Sequence, residues 1–277
     1  METSAIFNNG GKMGLKFCSL FSGSDGNSQY IEYKNTKLLI DSGMSGKRIQ
    51  EQLKNIEVDP KKIQGIFITH EHTDHIKGAG VLSRRYDIPV YANEKTWEAM
   101  LPKIGKMKDK NIKVFETSKE FAFNELSINT FNVHHDAVDP VGFTVTNSKK
   151  KICLLTDTGV VDENIKSSLE DFDLLLLETN HDVEMLKVGS YPFSLKKRIL
   201  SKFGHLSNET AGYFLTSILK DREEVVLLGH LSAENNFPEL AEKTVNNILE
   251  EKGIIPGKNV KIEMTYRDRA GKVYTLK

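Results

Sequence analysis

Ile63–His75 reads IQGIFITHEHTDH, and this stretch decides the fold, because it is a hydrophobic strand that ends in four metal-ligand-type side chains. Residues two apart on an extended chain point the same way, so His70 and His72 can bind one ion. Asp74 and His75 follow where the chain turns into a helix, so they can face a second ion beside the first. Such polar groups at the end of a buried strand are costly without a metal, which disfavours the alternative of a solvated polar turn.

The pattern His-x-His-x-Asp-His after a hydrophobic strand resembles the signature of the metallo-β-lactamase superfamily. Later segments of the chain match the remaining ligands in that family's order. The resemblance implies that His135, in VHHDAVDPVGF, is the third histidine on the first metal and that Asp157, in ICLLTDTG, bridges both metals. It also implies that His230, in VVLLGHLS, binds the second metal and that Asp41, in LLIDSG, supports the site from behind the ligands.

Each of these matches has an ordinary alternative when it is taken alone. Asp41 fits a plain turn aspartate, and His230 fits a histidine that merely ends a strand. His134 competes with His135 for the third ligand. We favour His135 because a histidine followed by Asp-Ala and then Pro-x-Gly is the pattern of the subgroup described below. Together, in the right order and after the right strands, the matches indicate one binuclear centre.

The resemblance covers residues 14–277 and implies an α/β fold. This fold is the metallo-β-lactamase four-layer αβ/βα sandwich, with two sheets face to face and helices on both outer faces. Hydrophobic patterning agrees, because strands run throughout the chain and helices are interspersed; the stretch 72–86 is predicted to be helical. No linker rich in proline, glycine or serine divides the chain, so residues 14–277 are predicted to form one metallo-β-lactamase domain after a flexible leader at 1–13.

The candidate ligands offer nitrogen and oxygen only, a donor set that suits Mn²⁺, Zn²⁺ or Fe²⁺. Asp157 stands where many true β-lactamases place a cysteine, which argues against antibiotic hydrolysis. Two divalent ions about 3.5–4 Å apart would hold a shared hydroxide as the nucleophile and would neutralise charge in the transition state. Asp74 and Asp157 are therefore expected to be catalytic as well as metal-binding.

Composition limits the partners and the compartment. The chain has 277 residues, and Lys+Arg equals Asp+Glu at 38 each, so no overall field attracts or repels nucleic acid. Cys18 and Cys153 make neither a zinc-ribbon spacing nor a disulfide framework, which favours a reducing, cytoplasmic setting. No apolar run approaches the roughly 18–20 residues of a membrane span, so no membrane partner is expected.

Within the superfamily the chain resembles the YycJ/WalJ family of bacterial exonuclease-like proteins. The resemblance rests on the short motifs SGSDGN, HEHTDH, HHDAVDPVGF, LLTDTG, LLLETNHD, SYPFSLKKRI, GHLSNE and LGHLSAENN. It implies a binuclear metal-dependent phosphodiesterase, a DNA exonuclease acting from 5′ ends, with DNA as its partner. The alternatives are a small-molecule phosphodiesterase and a glyoxalase II-like thioesterase, although the latter usually appends a helical region, whereas strands and helices alternate here to the end. A binding-only role is disfavoured because every candidate ligand is intact.

Three features fit a phosphate substrate independently of that resemblance. Tyr191 precedes a cationic cluster, and Lys196, Lys197 and Arg198 could bind phosphate together with it. The turn Ser22–Asn27 could present N–H groups to an anion, and a plain hairpin turn fits equally well. A basic run could track a nucleic-acid backbone, although a solvated helix end and loop is the favoured interpretation. This run comprises Lys103, Lys106, Lys108, Lys110 and Lys113.

Cleavage of a phosphodiester expels an alkoxide, and a positioned acid speeds such a step about 10²–10⁴-fold. His205, in GHLSNE, and Glu178, in DLLLLETN, resemble a histidine–glutamate pair of the tRNase Z phosphodiesterases, which implies that Glu178 orients His205 as the acid. The match is imperfect, since HLS and LETN stand where that family has HST and HEAT. His181 is a rival acid and a candidate substrate contact, and His205 could instead cap the helix that begins at Ser207.

Overall fold

The structure is a computed structural model that describes residues 14–220 and 222–277, so the predicted leader at 1–13 lies outside the described residues. The described strands are β1 (Leu15–Phe21), β2 (Ser28–Tyr33), β3 (Thr36–Ile40), β4 (Gly65–Phe67), β5 (Val90–Ala92), β6 (Ile112–Val114), β7 (Phe121–Phe123), β8 (Leu126–Asn132), β9 (Val141–Thr146), β10 (Lys151–Leu155), β11 (Leu174–Glu178), β12 (Glu224–Gly229), β13 (Val260–Met264) and β14 (Tyr274–Leu276). The described α-helices are α1 (Gly46–Asn55), α2 (Thr73–Ile76), α3 (Ala79–Tyr86), α4 (Glu94–Ile104), α5 (Glu163–Leu169), α6 (Val183–Val188), α7 (Phe193–Ile199), α8 (Asn208–Ile218) and α9 (Pro238–Glu251).

The strands form two seven-stranded sheets of similar construction. The first has the order β14-β1-β2-β3-β4-β5-β6; it is antiparallel from β14 to β3 and parallel from β3 to β6. The second has the order β13-β12-β11-β10-β9-β8-β7; it is parallel from β13 to β10 and antiparallel from β10 to β7. Each sheet therefore has a parallel half, and the loops that leave its carboxyl ends lie at one edge, where α/β proteins commonly bind ligands.

The two sheets pack face to face through a core that follows the strand period of two. Along β10, Ile152 and Leu154 face the other sheet, whereas Cys153 and Leu155 face the helices. From β4, Phe67 enters the core between the sheets, where its ring meets aromatic rings from both of them. The histidine segment that follows β4 thus starts from a strand anchored on both faces.

Helices cover the outer face of each sheet. On the first sheet, α1, α3 and α4 bury side chains such as Leu53 and Leu82. On the second sheet, α5, α8 and α9 bury side chains such as Leu215 and Val245. The resulting four layers confirm the predicted αβ/βα sandwich.

The prediction of a helix over 72–86 is wrong in one respect, because the structure has two helices, α2 and α3, with a break between them. Gly78 lies at the break, and its N–H donates to the Ser42 carbonyl at 2.7 Å. A Cβ at this position would lie 2.4 Å from the Met44 carbonyl oxygen, so the loop after β3 can approach only a glycine. This contact holds the histidine segment against the end of β3.

Candidate metal centre

Three candidate residues follow strand ends and share an uncommon backbone conformation. Asp41 follows β3, Asp157 follows β10 and His230 follows β12, with φ angles of 61°, 58° and 56°. The left-handed region costs a non-glycine residue on the order of 1–3 kcal/mol, and folds retain it where the direction of a side chain matters. Here the side chains meet other candidate residues, since Asp41 contacts His75 and His230 contacts Asp157.

The first predicted ligand set comes together from two segments. His70 and His72 follow β4, and His135 lies in the loop between β8 and β9. One ligand atom from each lies within 4.8 Å of the others, and His72 Nδ1 is 3.3 Å from His135 Nε2. These three imidazoles can therefore hold one metal ion.

The second predicted set surrounds Asp157. His75 Nε2 lies 3.3 Å from Asp74 Oδ2 and 3.3 Å from Asp157 Oδ2. On the other side, His230 Nε2 lies 3.2 Å from Asp157 Oδ1. The ligand atoms of His70, His75 and Asp157 also lie within 4.8 Å of one another, so Asp157 stands between the two sets.

The donor atoms at this centre fit a divalent cation. Two of its buried atoms, His70 Nε2 and Asp157 Oδ2, have no hydrogen-bond partner among the described residues. Buried polar atoms are normally satisfied, so both atoms point to a ligand that the protein does not itself supply. Imidazole nitrogen and carboxylate oxygen are donors that divalent transition-metal ions accept.

Electrostatics favours the ligand forms of these groups. Burial lowers the pKa of His70 well below its ordinary value, so its imidazole is neutral. Burial alone would raise the pKa of Asp157, but the charges of His230 and His75 hold this pKa well below its ordinary value. Burial would lower the pKa of His75, yet Asp41 and two further carboxylates raise it well above the ordinary value. The same carboxylates would stabilise a metal cation in place of that proton.

Asp41 lies directly behind His75. Its Oδ2 accepts a hydrogen bond from His75 Nδ1 at 2.7 Å, and its Oδ1 accepts one from the Thr69 N–H at 2.9 Å. Because Nδ1 is held in this way, His75 presents Nε2 to Asp157. Thr69 is absent from the predicted site, although its hydroxyl lies 3.0 Å from His70 Nδ1.

Asn27 is also absent from the predicted site. Its side-chain nitrogen lies 3.1 Å from His75 Nε2, and its side-chain oxygen lies 3.2 Å from His230 Nδ1. In the same turn, Ser22 Oγ accepts a hydrogen bond from the His230 N–H at 2.9 Å. For the turn Ser22–Asn27, the sequence leaves open backbone N–H groups that face an anion and a plain hairpin turn. In the structure the side chains of this turn reach the centre, and no spacing in the sequence marks them.

His205 and Glu178 form an imidazole–carboxylate pair beside the centre. His205 Nδ1 lies 2.6 Å from Glu178 Oε1 and 3.7 Å from Asp157 Oδ1. Glu178 is fully buried, and its Oε2 accepts the N–H groups of Thr158 and Leu206 at 3.1 and 3.3 Å. Burial would lower the pKa of His205, but the charge and hydrogen bond of Glu178 outweigh it and raise this pKa to about 9. With 18% of its side chain exposed, His205 is a group that solvent can reach.

The helix after His205 has its own cap. Ser207 Oγ accepts a hydrogen bond from the Thr210 N–H at 3.1 Å, so serine is the N-cap of α8. The alternative that His205 caps this helix is therefore wrong, and its ring remains with Glu178.

The other two histidines have different surroundings. His181 is buried, both of its ring nitrogens lack a hydrogen-bond partner among the described residues, and burial lowers its pKa to about 4. His134 Nε2 lies 2.8 Å from Asp162 Oδ2 at the start of α5. Of the two adjacent histidines, His135 is the one grouped with the other ligand-type side chains.

The predicted substrate cations lie on α7, close to the centre. Arg198 Nε contacts Asp136 Oδ2 at 2.5 Å. Lys196 Nζ donates to the Lys187 carbonyl at 2.8 Å, and Lys197 is exposed. Tyr191 is half-buried in the loop before this helix.

The lysines of the basic run at 103–113 include three with separate contacts. Lys108 and Lys110 both pair with Asp87. Lys103 Nζ donates to the Glu71 carbonyl at 3.1 Å, within the histidine segment. The shared pairing with Asp87 favours the interpretation of a solvated helix end and loop.

The cysteines take no part in the centre. Cys18 and Cys153 are buried and unpaired, and burial raises the pKa of each thiol to about 12. Among the helices of the described residues, none has the length and apolar character needed to cross a membrane.

Comparisons with known proteins agree with this fold and centre. Residues 36–230 match the family model described as the Beta-lactamase superfamily domain. Exodeoxyribonuclease YycJ of Bacillus anthracis is 43% identical over 253 residues, which cover 91% of this chain and 96% of that protein. Exodeoxyribonuclease WalJ of Streptococcus pneumoniae is 44% identical over 261 residues, which cover 94% of this chain and 97% of that protein.

Among solved structures, the metallo-β-lactamase fold protein YhfI from Bacillus subtilis superimposes with a TM-score of 0.70 at 17% identity. The match covers 95% of this chain and 99% of that one, and it concerns the fold alone. The chain therefore belongs to the metallo-β-lactamase superfamily and, within it, to the YycJ/WalJ family of metal-dependent hydrolases. The family and the enzyme class predicted from the motifs are confirmed.

Proposed function

We propose that this protein is a binuclear metal-dependent phosphodiesterase, a DNA exonuclease that acts from 5′ ends. The observation that carries the proposal is the position of Asp157, with one oxygen toward His75 and the other toward His230. The relatives named exodeoxyribonuclease support DNA as the substrate, because they match over nearly the whole chain. The 5′ direction rests on family resemblance.

The proposed ligands fall into two sets that share Asp157. They are His70, His72 and His135 for one ion and Asp74, His75 and His230 for the other, with Asp157 common to both. When bound, the two ions would neutralise charge on the phosphate and supply an activated water as the nucleophile. The donor set suits Mn²⁺, Zn²⁺ or Fe²⁺.

His205 is the proposed proton donor to the leaving alkoxide. Its Nδ1 faces Glu178 at 2.6 Å, so the proton available to a substrate is the one on Nε2. Two backbone N–H groups hold the other oxygen of Glu178, which fixes the direction of the ring. His181 is the poorer candidate for the proton donor, since its pKa of about 4 leaves its ring unprotonated at neutral pH. With unpartnered ring nitrogens, it remains a candidate contact to the substrate.

Tyr191, Lys196 and Arg198 are the proposed contacts to substrate phosphates. Arg198 contacts Asp136, and Asp136 Oδ1 lies 3.4 Å from His135 Nε2, so this cation is linked to the first ligand set. Binding should weaken steeply with salt if several phosphates are contacted. The setting is proposed to be cytoplasmic, since Cys18 and Cys153 are free and form no disulfide framework.

A substrate panel tests the proposal. The candidates are linear duplex DNA with a 5′ phosphate, single-stranded DNA, RNA, a thioester and a generic phosphodiester, each with Mn²⁺ or Zn²⁺. A label at the 5′ end should be released at once on a small product, whereas a strand labelled at its 3′ end should shorten gradually. An Asp157→Ala preparation controls for contaminating nucleases. If labelled DNA stays intact with every metal while the thioester or the small phosphodiester is turned over, one of those alternatives replaces the proposal.

A further inference from the structure

Close to the centre, the chain exposes apolar side chains that a fold ordinarily buries. Val188 and Phe193 are 84% and 82% exposed, the two highest values among large hydrophobic side chains in the described residues. Along α7 and its C-cap, Phe193, Lys196, Lys197 and Leu200 recur at i, i+3, i+4 and i+7, which places them on one helix face. That face presents an aromatic ring, an aliphatic side chain and two lysines to solvent.

This face borders an open cleft of about 560 Å³. The cleft, called the α7 cleft below, is lined by Lys187, Phe193, Lys196, Lys197, Leu200 and Ser201. The hydrogen bond from Lys196 Nζ to the Lys187 carbonyl ties α7 to the end of α6. This hydrogen bond fixes the position of one wall of the cleft relative to the other.

The charge around the α7 cleft differs from that of the whole chain. Residues 187–202 include five cations and no aspartate or glutamate, whereas the chain has a formal net charge of zero. Lys187 pairs with Glu184 at 2.7 Å, and Arg198 contacts Asp136. The remaining positive charge is that of Lys196, Lys197 and Lys202, so the apolar surface carries an excess of lysine.

Contacts through the backbone join α7 to the centre. The His205 N–H donates to the Ile199 carbonyl at 3.1 Å. The Gly204 carbonyl lies 3.2 Å from His135 Nδ1. A DNA strand whose end lies at the metal centre can therefore reach the α7 cleft by passing along one short helix.

We propose that the α7 cleft binds a single-stranded segment of the DNA substrate, with a base stacked on Phe193 and the adjacent phosphates on Lys196 and Lys197. The inference rests on the proposed function. Proteins hold single strands by combining aromatic side chains, which stack on any base, with cations that follow the backbone. A protein partner is disfavoured, because lysine is depleted in protein–protein interfaces. Bases in a duplex are already stacked, so a strand enters the cleft after it has separated from its complement.

Binding to the metal-loaded enzyme tests the cleft directly. The probe is a fluorescent phosphorothioate single strand, which resists cleavage, and its partner probe is an abasic strand of equal length. Phe193→Ala should weaken binding of the single strand about 5- to 150-fold, because one base–aromatic stack is lost. It should leave binding of the abasic strand unchanged. Tyr213→Ala, which removes an exposed aromatic side chain from α8, is the matched control and should bind both strands as the wild type does.

A second variant reports stacking without relying on affinity. The chain has one tryptophan, Trp97, which is buried and donates from Nε1 to the Lys113 carbonyl, so its emission is a constant background. Phe193→Trp adds an exposed indole to the cleft. Quenching of that indole by the single strand and not by the abasic strand supports the inference. Equal emission with both strands overturns it.

The outcomes separate the cleft from the nuclease proposal. If the wild type degrades DNA and Phe193→Ala binds the single strand as tightly as the wild type does, the proposed role of the α7 cleft is wrong and the nuclease proposal stands. If that same variant loses self-association while its DNA binding is unchanged, the cleft belongs to a protein contact instead. If the wild type neither binds nor cleaves DNA of any form, the proposed function is wrong, and so is the proposed role of the α7 cleft.

Discussion

Asp41–His75 and Glu178–His205 are the same chemical pair in two settings. The carboxylate oxygen lies 2.7 Å from Nδ1 in the first pair and 2.6 Å in the second, and both carboxylates are buried. The His75 side chain is fully buried with Nε2 toward Asp157, whereas 18% of the His205 side chain is exposed. In each pair the carboxylate fixes the ring, so the surroundings of Nε2 decide whether the imidazole suits a metal or a proton transfer.

The largest loss of activity is expected from a substitution of Asp157, which lies close to both pairs. Asp157 Oδ2 lies 3.3 Å from His75 Nε2, and Asp157 Oδ1 lies 3.7 Å from His205 Nδ1. Asp157→Ala should lower kcat by at least about 10³-fold with the fold intact, because it removes the carboxylate that both proposed ligand sets share. Metal analysis after mild reconstitution should give about two ions per chain for the wild type and fewer for the variant.

The matched control for this variant is Asp171→Ala, whose surface carboxylate pairs with Lys220. It should keep the wild-type metal content and kcat. Retained activity in Asp157→Ala would show that another carboxylate bridges the ions. A firm value of zero or one ion in the metal-saturated wild type would end the binuclear assignment.

The next largest effect separates the two pairs by chemistry. His205→Ala should lower kcat on DNA about 10²–10⁴-fold, the usual contribution of a positioned acid. The loss should be far smaller on a bis-nitrophenyl phosphate, because nitrophenolate leaves without a proton. Both ions should remain, and Glu178→Gln should show the same dependence on the leaving group to a lesser degree. Equal losses on both substrates, or loss of metal, would remove His205 from the acid role.

A smaller and different effect is expected from the first pair. Asp41→Asn should weaken metal affinity about 10–100-fold, because the proposed ligand His75 loses the carboxylate that orients it. At saturating metal, the ratio of rates on DNA and nitrophenyl ester should equal that of the wild type. Asp268→Asn, with 71% of its side chain exposed, is the control. A changed ratio would mean that both pairs serve proton transfer and would break the comparison.

The residues of the centre are predictable from sequence where the signal is local. His70 and His72 are two apart on an extended segment, and Asp157 and His230 each follow a hydrophobic strand. Asn27 gives no such signal, because it reaches His75 and His230 across 48 and 203 residues of chain. Its role depends on the packing of the two sheets, which no short pattern encodes.

The fold shows the same division. Strand alternation and the family motifs predict the four layers, but the break between α2 and α3 depends on the contact of Gly78 with Ser42. The α7 cleft was not predictable either. Phe193 and Leu200 are seven residues apart, and apolar residues at that spacing ordinarily predict a buried helix face. The cations of α7 are visible in the sequence, whereas the exposure of Phe193 is visible only in the structure.

A third imidazole–carboxylate pair, His134 and Asp162, is expected to show the smallest effect on activity and metal binding. His134 Nε2 lies 2.8 Å from Asp162 Oδ2, but 37% and 40% of the two side chains are exposed. His134→Ala should therefore reduce the free energy of unfolding by at most about 1 kcal/mol, as for other solvent-screened pairs. Metal content should match that of the wild type, and kcat should stay within about twofold.

The partner carboxylate separates pairing from helix capping. Asp162 also accepts the Ile165 N–H at 2.9 Å as the N-cap of α5, a contact that His134→Ala leaves in place. Asp162→Ala removes both interactions and should cost about 0.5–2 kcal/mol more in denaturant unfolding. The neighbouring His135→Ala should instead lose metal and activity, because its imidazole lies with His70 and His72. If His134→Ala loses metal while His135→Ala keeps it, the third ligand is His134. In that case, the exposure of the imidazole and its hydrogen bond to a carboxylate would not tell a surface pair from a metal ligand.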